Sequence, residues 1–167
     1  MKMHTQYANA AEGFKREACF TLDYSRDRLL HAAGQLTDEQ VWSRPHPEMN
    51  AVGNILLHVS GNLRQWIVCG VGGEPDDRDR PAEFAQRQVI ALDVLSEKLR
   101  NTVEEAKAAI VACSESGLLS MRTIQGFETT GLGAIFHSVS HLEGHAQETI
   151  YAARLILGDG YRFKDVY

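Results

Sequence analysis

The chain has 167 residues, of which 44% are hydrophobic and 23% charged, with a formal net charge of −5. That is the profile of one soluble globular domain, 1–167, long enough to bury a core without covalent staples. The acidic balance and the lack of any Lys/Arg cluster exclude a nucleic-acid binder, because phosphate contacts need a basic face. No run approaches the ~20 apolar residues of a membrane span. The amino-terminal MKMHTQYANAAEGF lacks the apolar centre of a signal peptide, so a cytoplasmic protein with no membrane partner is expected. Cys19, Cys69 and Cys113 are odd in number, far apart and set among apolar residues. They read as free thiols in a reducing compartment.

From about Tyr7 to Gln35 the apolar residues Ala11, Phe14, Ala18, Leu22, Leu29 and Ala33 recur with helical period, which predicts a first long helix. Thr37 and Gln40 have the spacing of a capping box and predict a short turn through Trp42. Pro45 and Pro47 stop it. Asn50 reads as the cap of a second helix, Ala51 to Cys69, striped by Val52, Ile55, Leu56, Val59, Leu63 and Trp66 and closed by Gly70, Gly72 and Gly73. The polar connection EPDDRDRP is long for neighbouring antiparallel helices and suggests a crossover. Pro81 opens a third helix that is expected to run to about Cys113. A loop from Ser114 to Thr130 follows, and Thr129 or Thr130 caps a fourth helix. No segment shows sustained strand alternation, so an all-α four-helix bundle is expected, with the aromatic tail packed back on it.

The fourth helix carries His137, His141 and His145 at four-residue spacing. Neighbours four apart share a helix face and can turn their rings onto one ion. All three cannot, because the ends of the row are ~12 Å apart along the helix, whereas nitrogens around a zinc-sized ion sit ~3.5 Å apart. One adjacent pair is thus a candidate chelate, and further ligands must come from elsewhere. His145 lies roughly 100° from the centre of the apolar stripe Leu132, Ile135, Val139, Leu142, Ala146, Ile150, Ala153 and Leu157, with His141 further round and His137 nearly opposite. By angle, His141 and His145 reach inward better. A stripe this broad is expected to serve both the bundle core and a second subunit. His58 sits at the edge of the second helix's apolar face, either as a satisfied boundary residue or as a ligand from a facing helix. Glu148 is read either as an exposed carboxylate or as an acceptor fixing an imidazole tautomer, and Trp42 and Trp66 as core or pocket lining. Glu-x-x-His, His-Glu-x-x-His, Cys-x-x-Cys and Gly-x-Ser-x-Gly are all missing from the sequence, which removes di-iron, zincin, cysteine-zinc and serine-hydrolase readings.

The histidine of GNILLHVSGN, followed in the last helix by SHLEGHAQETIYAARLILG, resembles the DinB-like (DinB/YfiT) family of metal-binding bundles, and the likeness extends over essentially the whole chain. The resemblance implies an up-down-down-up bundle, often a homodimer. It implies that His58, His141 and His145 ligate a divalent ion (Ni²⁺, Zn²⁺, Fe²⁺ or Mn²⁺), with His137 extra. It also implies a small-molecule substrate and, in characterised relatives, transferases or isomerases that use a low-molecular-weight thiol as cosubstrate. A metal-dependent thiol S-transferase, or hydrolase using water, is therefore the leading expectation. A metal- or ligand-binding protein without turnover, acting in stress response or interaction, is the alternative. No residue is assigned as general acid or base. Binding through neutral imidazoles is expected to fade below about pH 6.

Overall fold

A computed structural model of the chain describes residues 6–163. The first residues of the amino-terminal stretch and the last four of the tail lie outside them. The described chain is mostly helical, and four long helices build the core. They are α1 (Ala10–Ala33), α3 (Val52–Leu63, continued as a π-helical turn, Arg64–Cys69), α5 (Leu92–Ala112) and α7 (Gly131–Leu157). Short helices α2 (Asp38–Val41), α4 (Arg80–Ala85) and α6 (Glu115–Leu119) occupy the connections. α1 packs on α7 and α5, and α3 packs on α5 and α7. Leu22 and Leu29 of α1, Leu56, Val59 and Leu63 of α3, Leu99, Val103 and Ile110 of α5, and Ile135 and Leu142 of α7 meet at the centre, all 1% exposed or less. Each such side chain contributes about 1.5–3 kcal/mol of apolar burial.

The caps follow the side chains available. Asn9 accepts from the Glu12 amide to open α1, Thr37 and Gln40 form the capping box of α2, and Thr130 accepts from Gly133 at the start of α7. α3 departs from expectation, because Asn50 does not cap it. The helix begins after Ala51, and Asn54, fully buried, reaches back to accept the Ala51 N–H at 3.1 Å.

The expected third helix is two pieces. α4 ends at Ala85, and α5 starts only at Leu92, whose N–H donates to Asp38 at 2.8 Å. Buried groups from other elements interrupt the continuous helix. Asn54 Nδ2 donates to the Glu83 and Gln86 carbonyls, and Arg44 donates to Gln86 as well. The Trp42 indole N–H takes the Ile90 carbonyl at 2.9 Å. These bonds satisfy carbonyls that a continued helix would otherwise pair. The result is a short helix that packs on α3 and brings Glu83 to His58.

The expected loop from Ser114 to Thr130 contains structure too, and the absence of strands is corrected. β1 (Met121–Ile124) pairs antiparallel with β2 (Phe127–Thr130), in the register Met121 to Thr130 and Ile124 to Phe127. Gln125 and Gly126 turn the hairpin at φ 53° and 80°, the pair of positive angles that a two-residue type I′ turn requires. Four-residue strands are too short to show alternation in the sequence. Ile124 packs with Trp66 and Ala134, and the Trp66 indole donates to Gln125 at 3.3 Å, so the hairpin tip lies over the π turn of α3.

On α7, Ile135, Leu142, Ala146 and Ala153 are buried. Leu132 is 37% exposed, and Val139, Ile150 and Leu157 are half-buried. The broad stripe is thus only partly used within one chain. At the tail Tyr161 is buried, His31 meets the Arg162 carbonyl at 2.8 Å, and Phe163 is exposed. No helix among the described residues is long and apolar enough to cross a membrane.

Candidate metal centre

α3 and α7 bring three imidazoles to one point. His58 lies mid-helix on α3 and is 7% exposed; His141 and His145 occupy successive turns of α7 on the flank of its buried stripe. His58 Nε2 is 3.2 Å from His141 Nε2. Ring centroids are 4.9 Å apart for His58 and His141, 5.2 Å for His58 and His145, and 4.5 Å for His141 and His145. One nitrogen from each falls within 4.8 Å of the other two. Donors around a zinc-sized ion at ~2.1 Å stand ~3.4 Å apart in a tetrahedron, so this spacing fits a shared cation.

Two of the three far nitrogens are engaged in the way ligation requires. His58 Nδ1 is 3.0 Å from Glu83 Oε2, and His145 Nδ1 is 2.7 Å from Glu148 Oε2. A carboxylate accepts, so each Nδ1 carries the proton and each Nε2 keeps its lone pair for the focus. Arg78 Nη2 also approaches His58 Nδ1 at 3.1 Å. A guanidinium cannot accept, so the carboxylate sets the tautomer. His141 Nδ1 is buried with no partner. Its ring is held neutral, with a pKa pulled down to about 3, by burial first and then by the charges of His145, His58, His137 and Arg78. His58 and His145 thus present Nε2 lone pairs, and the His141 Nε2–H that donates to His58 is the proton a divalent ion would displace.

The metal-free protein should therefore lose stability in acid through His141. Its folded pKa lies below the unfolded value near 6.5, so between roughly pH 6.5 and 3 the unfolded chain binds the extra proton. Stability should fall as pH falls through that window. Urea midpoints of metal-free protein, native against His141→Gln, check this; parallel pH profiles would contradict it.

Arg78 and Glu83 form the support of His58. Arg78 Nε is 2.7 Å and Nη2 2.8 Å from the two Glu83 oxygens, with side chains 4% and 11% exposed. Burial pushes the Glu83 pKa up, but the hydrogen bonds from Arg78 and His58 outweigh it and the net shift is downward. For Glu148 the His145 hydrogen bond is the main cause of a lowered pKa. Gly61 makes room for the pair, since a Cβ there would stand 2.0 Å from Glu83 Oε1 and 2.8 Å from Arg78 Nε. Gly61→Ala should displace Glu83, loosen His58 and weaken metal affinity about 10-fold, the scale set by loss of a supporting hydrogen bond. Calorimetric titration with Zn²⁺ would measure it, and an unchanged affinity would show that Glu83 does not act through His58.

His137 stands apart from the trio. Its ring stacks on Trp66 at 4.1 Å and lies 5.7 Å from His141, with burial lowering its pKa. Phe84 packs on His58 at 4.7 Å. Glu148 answers to both sequence readings, being 53% exposed yet bonded to His145. Trp42 is core, whereas Trp66 borders the histidine row. Sequence reasoning missed Glu83, Arg78 and Phe84, which sit on or beside a helix too short to carry a pattern. A cleft of about 560 Å³ lies between the π turn and α5 along Arg64, Val68 and Cys113 and touches none of these histidines.

The profile of the family described as "Protein of unknown function (DUF1572)" matches residues 9–166. No curated protein matches the chain. Among solved structures, a crystal structure titled the conserved protein of locus from Enterococcus faecalis superposes with a TM-score of 0.72 at 18% identity, covering 86% of this chain and 96% of that one. At that identity the likeness carries the fold alone.

Proposed function

This chain belongs to the family of proteins of unknown function DUF1572, and from that premise we propose a divalent-metal protein of DinB-like type, working as a metal-dependent enzyme on a thiol. The observation that carries the reading is the 3.2 Å approach of two Nε2 atoms from separate helices, with carboxylates on the Nδ1 atoms of His58 and His145. Two lone pairs that close repel each other unless a proton or a cation lies between them. His58, His141 and His145 are the proposed ligands, and the topology we infer for the four long helices is an up-down-down-up bundle.

A divalent ion (Ni²⁺, Zn²⁺, Fe²⁺ or Mn²⁺) held by three neutral imidazoles keeps open positions and its full charge, and so supplies acidification of a bound thiol or water near neutral pH. The chain does the rest. Glu83 and Glu148 hold the proton on Nδ1 of His58 and His145, and Arg78 holds Glu83. Phe84 and the Trp66–His137 stack wall the focus on two sides and limit water. S-transfer from a low-molecular-weight thiol is the reaction favoured, because the walls are largely aromatic and, among the described residues, no carboxylate beyond these supports is bonded to the three rings. Three free cysteines, Cys19, Cys69 and Cys113, support a cytoplasmic, reducing location. Exposed Phe20, Phe136, Tyr151 and Leu155 on α1 and α7 support a homodimer, which sedimentation would test.

The test is metal analysis of untagged protein, followed by thiol-consumption assays with activated electrophiles. Metal near one equivalent per chain and metal-dependent thiol loss would support the enzyme. Metal without turnover would leave a binding protein, and no metal would overturn the reading.

A further inference from the structure

We propose that Arg80 is the anion-recognition residue of this centre, so that the ligand it takes carries a carboxylate besides the donor that reaches the focus of His58, His141 and His145. The inference rests on the metal reading above and adds a substrate class to it.

Two neighbouring arginines of one segment are used differently. Arg78 is 4% exposed and committed to Glu83. Arg80 is exposed, and among the described residues it has no carboxylate within ion-pair distance and no hydrogen-bond partner. Instead its guanidinium lies over the Phe84 ring, 4.9 Å from the centroid, and Phe84 in turn packs on His58 at 4.7 Å. One aromatic ring therefore separates an unneutralised guanidinium from the proposed ligand ring. Stacking on that ring holds the planar group in place while leaving its N–H edge free.

The charge around the focus points the same way. Glu83 is neutralised by Arg78, while Glu148, bonded to a neutral His145, keeps a single negative charge to set against the two of the ion. A divalent ion and Arg80 would then leave local positive charge on a chain whose formal net charge is −5. Such a site draws in an anion and repels a cation. A single guanidinium edge presents two parallel donors, which match a carboxylate bidentately. His145 is 24% exposed at its side chain and Arg80 is exposed, so both ends of the proposed ligand meet solvent.

The experiment uses the full chain loaded with Co²⁺, whose thiolate-to-metal absorption reports thiol coordination directly and needs no turnover. The probes are ω-mercaptocarboxylates, from mercaptopropionate to mercaptohexanoate, each against the mercaptoalcohol of equal length. Native protein should prefer the carboxylate by roughly fivefold or more at low salt, with the preference peaking at the length that spans to Arg80 and shrinking as salt rises. Arg80→Ala should bring the carboxylate-to-alcohol ratio close to one at every length. Arg80→Lys should restore part of it, since the charge returns without the fork. Arg100→Ala, exposed on α5, should keep the native ratio. No preference in native protein, or an equal preference in Arg80→Ala, would overturn the inference while leaving the metal site standing. Native protein that fails to hold Co²⁺ would overturn the metal reading itself.

Discussion

His58→Ala, His141→Ala and His145→Ala should each abolish stoichiometric binding of a divalent ion, while His137→Ala should retain it. The distinction is geometric. The first three rings place one nitrogen each within 4.8 Å of the others, whereas His137 is stacked on the Trp66 indole. With free ion at 100 times its dissociation constant, binding stabilises a folded protein by about 2.7 kcal/mol. For a domain of this size that raises Tm by roughly 5–10 °C. The rise should vanish in the three ligand variants and persist in His137→Ala. Metal-free His141→Ala should be little less stable than native, because it removes a ring whose Nδ1 is buried without a partner. That combination separates a ligand from a packing residue. Loss of the metal-induced shift in His137→Ala, or its survival in all three others, would sink the assignment.

Glu83→Gln is the second large effect. The amide keeps much of the shape but removes the charge that neutralises Arg78, whose side chain is 4% exposed. Breaking a buried pair from one side leaves an uncompensated charge and costs about 3 kcal/mol, so Tm should fall by roughly 6–12 °C. Metal affinity should drop 10- to 100-fold, because the acceptor that fixes the His58 tautomer is weakened. The acid limb gives an independent sign. The Glu83 pKa is lowered by Arg78 and His58 against the opposing effect of burial, so its contribution is present above the carboxylate's unfolded pKa and is lost as pH falls through the folded one. Glu83→Gln should flatten the stability profile in that acid range. Thermal melts from pH 7 to 3 measure both effects, and a variant as stable as native at pH 7 would show that Arg78 finds solvent instead.

What could be read from sequence was what period and spacing carry. The long helices stood out because Leu22, Leu29, Leu56, Val59, Leu99, Val103, Ile135 and Leu142 recur with the turn of a helix. Four-residue spacing restricted the last helix to one adjacent pair of converging rings, whereas His58 as their companion came from the resemblance to DinB-like proteins; residues 58, 141 and 145 do meet. The break between α4 and α5 was not legible, since it depends on Asn54, Arg44 and Trp42 reaching across the fold to backbone carbonyls. A periodic reading of residues 81–113 has no access to such tertiary bonds. The hairpin was hidden by its brevity and by a Gln-Gly turn in place of the stronger Asn-Gly signal. Glu83 and Arg78 were hidden for a related reason: their partner, His58, is on another helix, and Gly61, which admits them, looked like any small residue on a helix face.

The two nitrogens that approach most closely belong to residues 83 positions apart in the chain. Bringing such distant segments together carries a closure entropy that helix packing must meet before the rings can meet. An ion held there would have no early foothold and would arrive at an assembled fold. Refolding rates should be nearly independent of Zn²⁺ while unfolding slows with it, so that the cation lengthens the native lifetime without guiding the search that produces the native state.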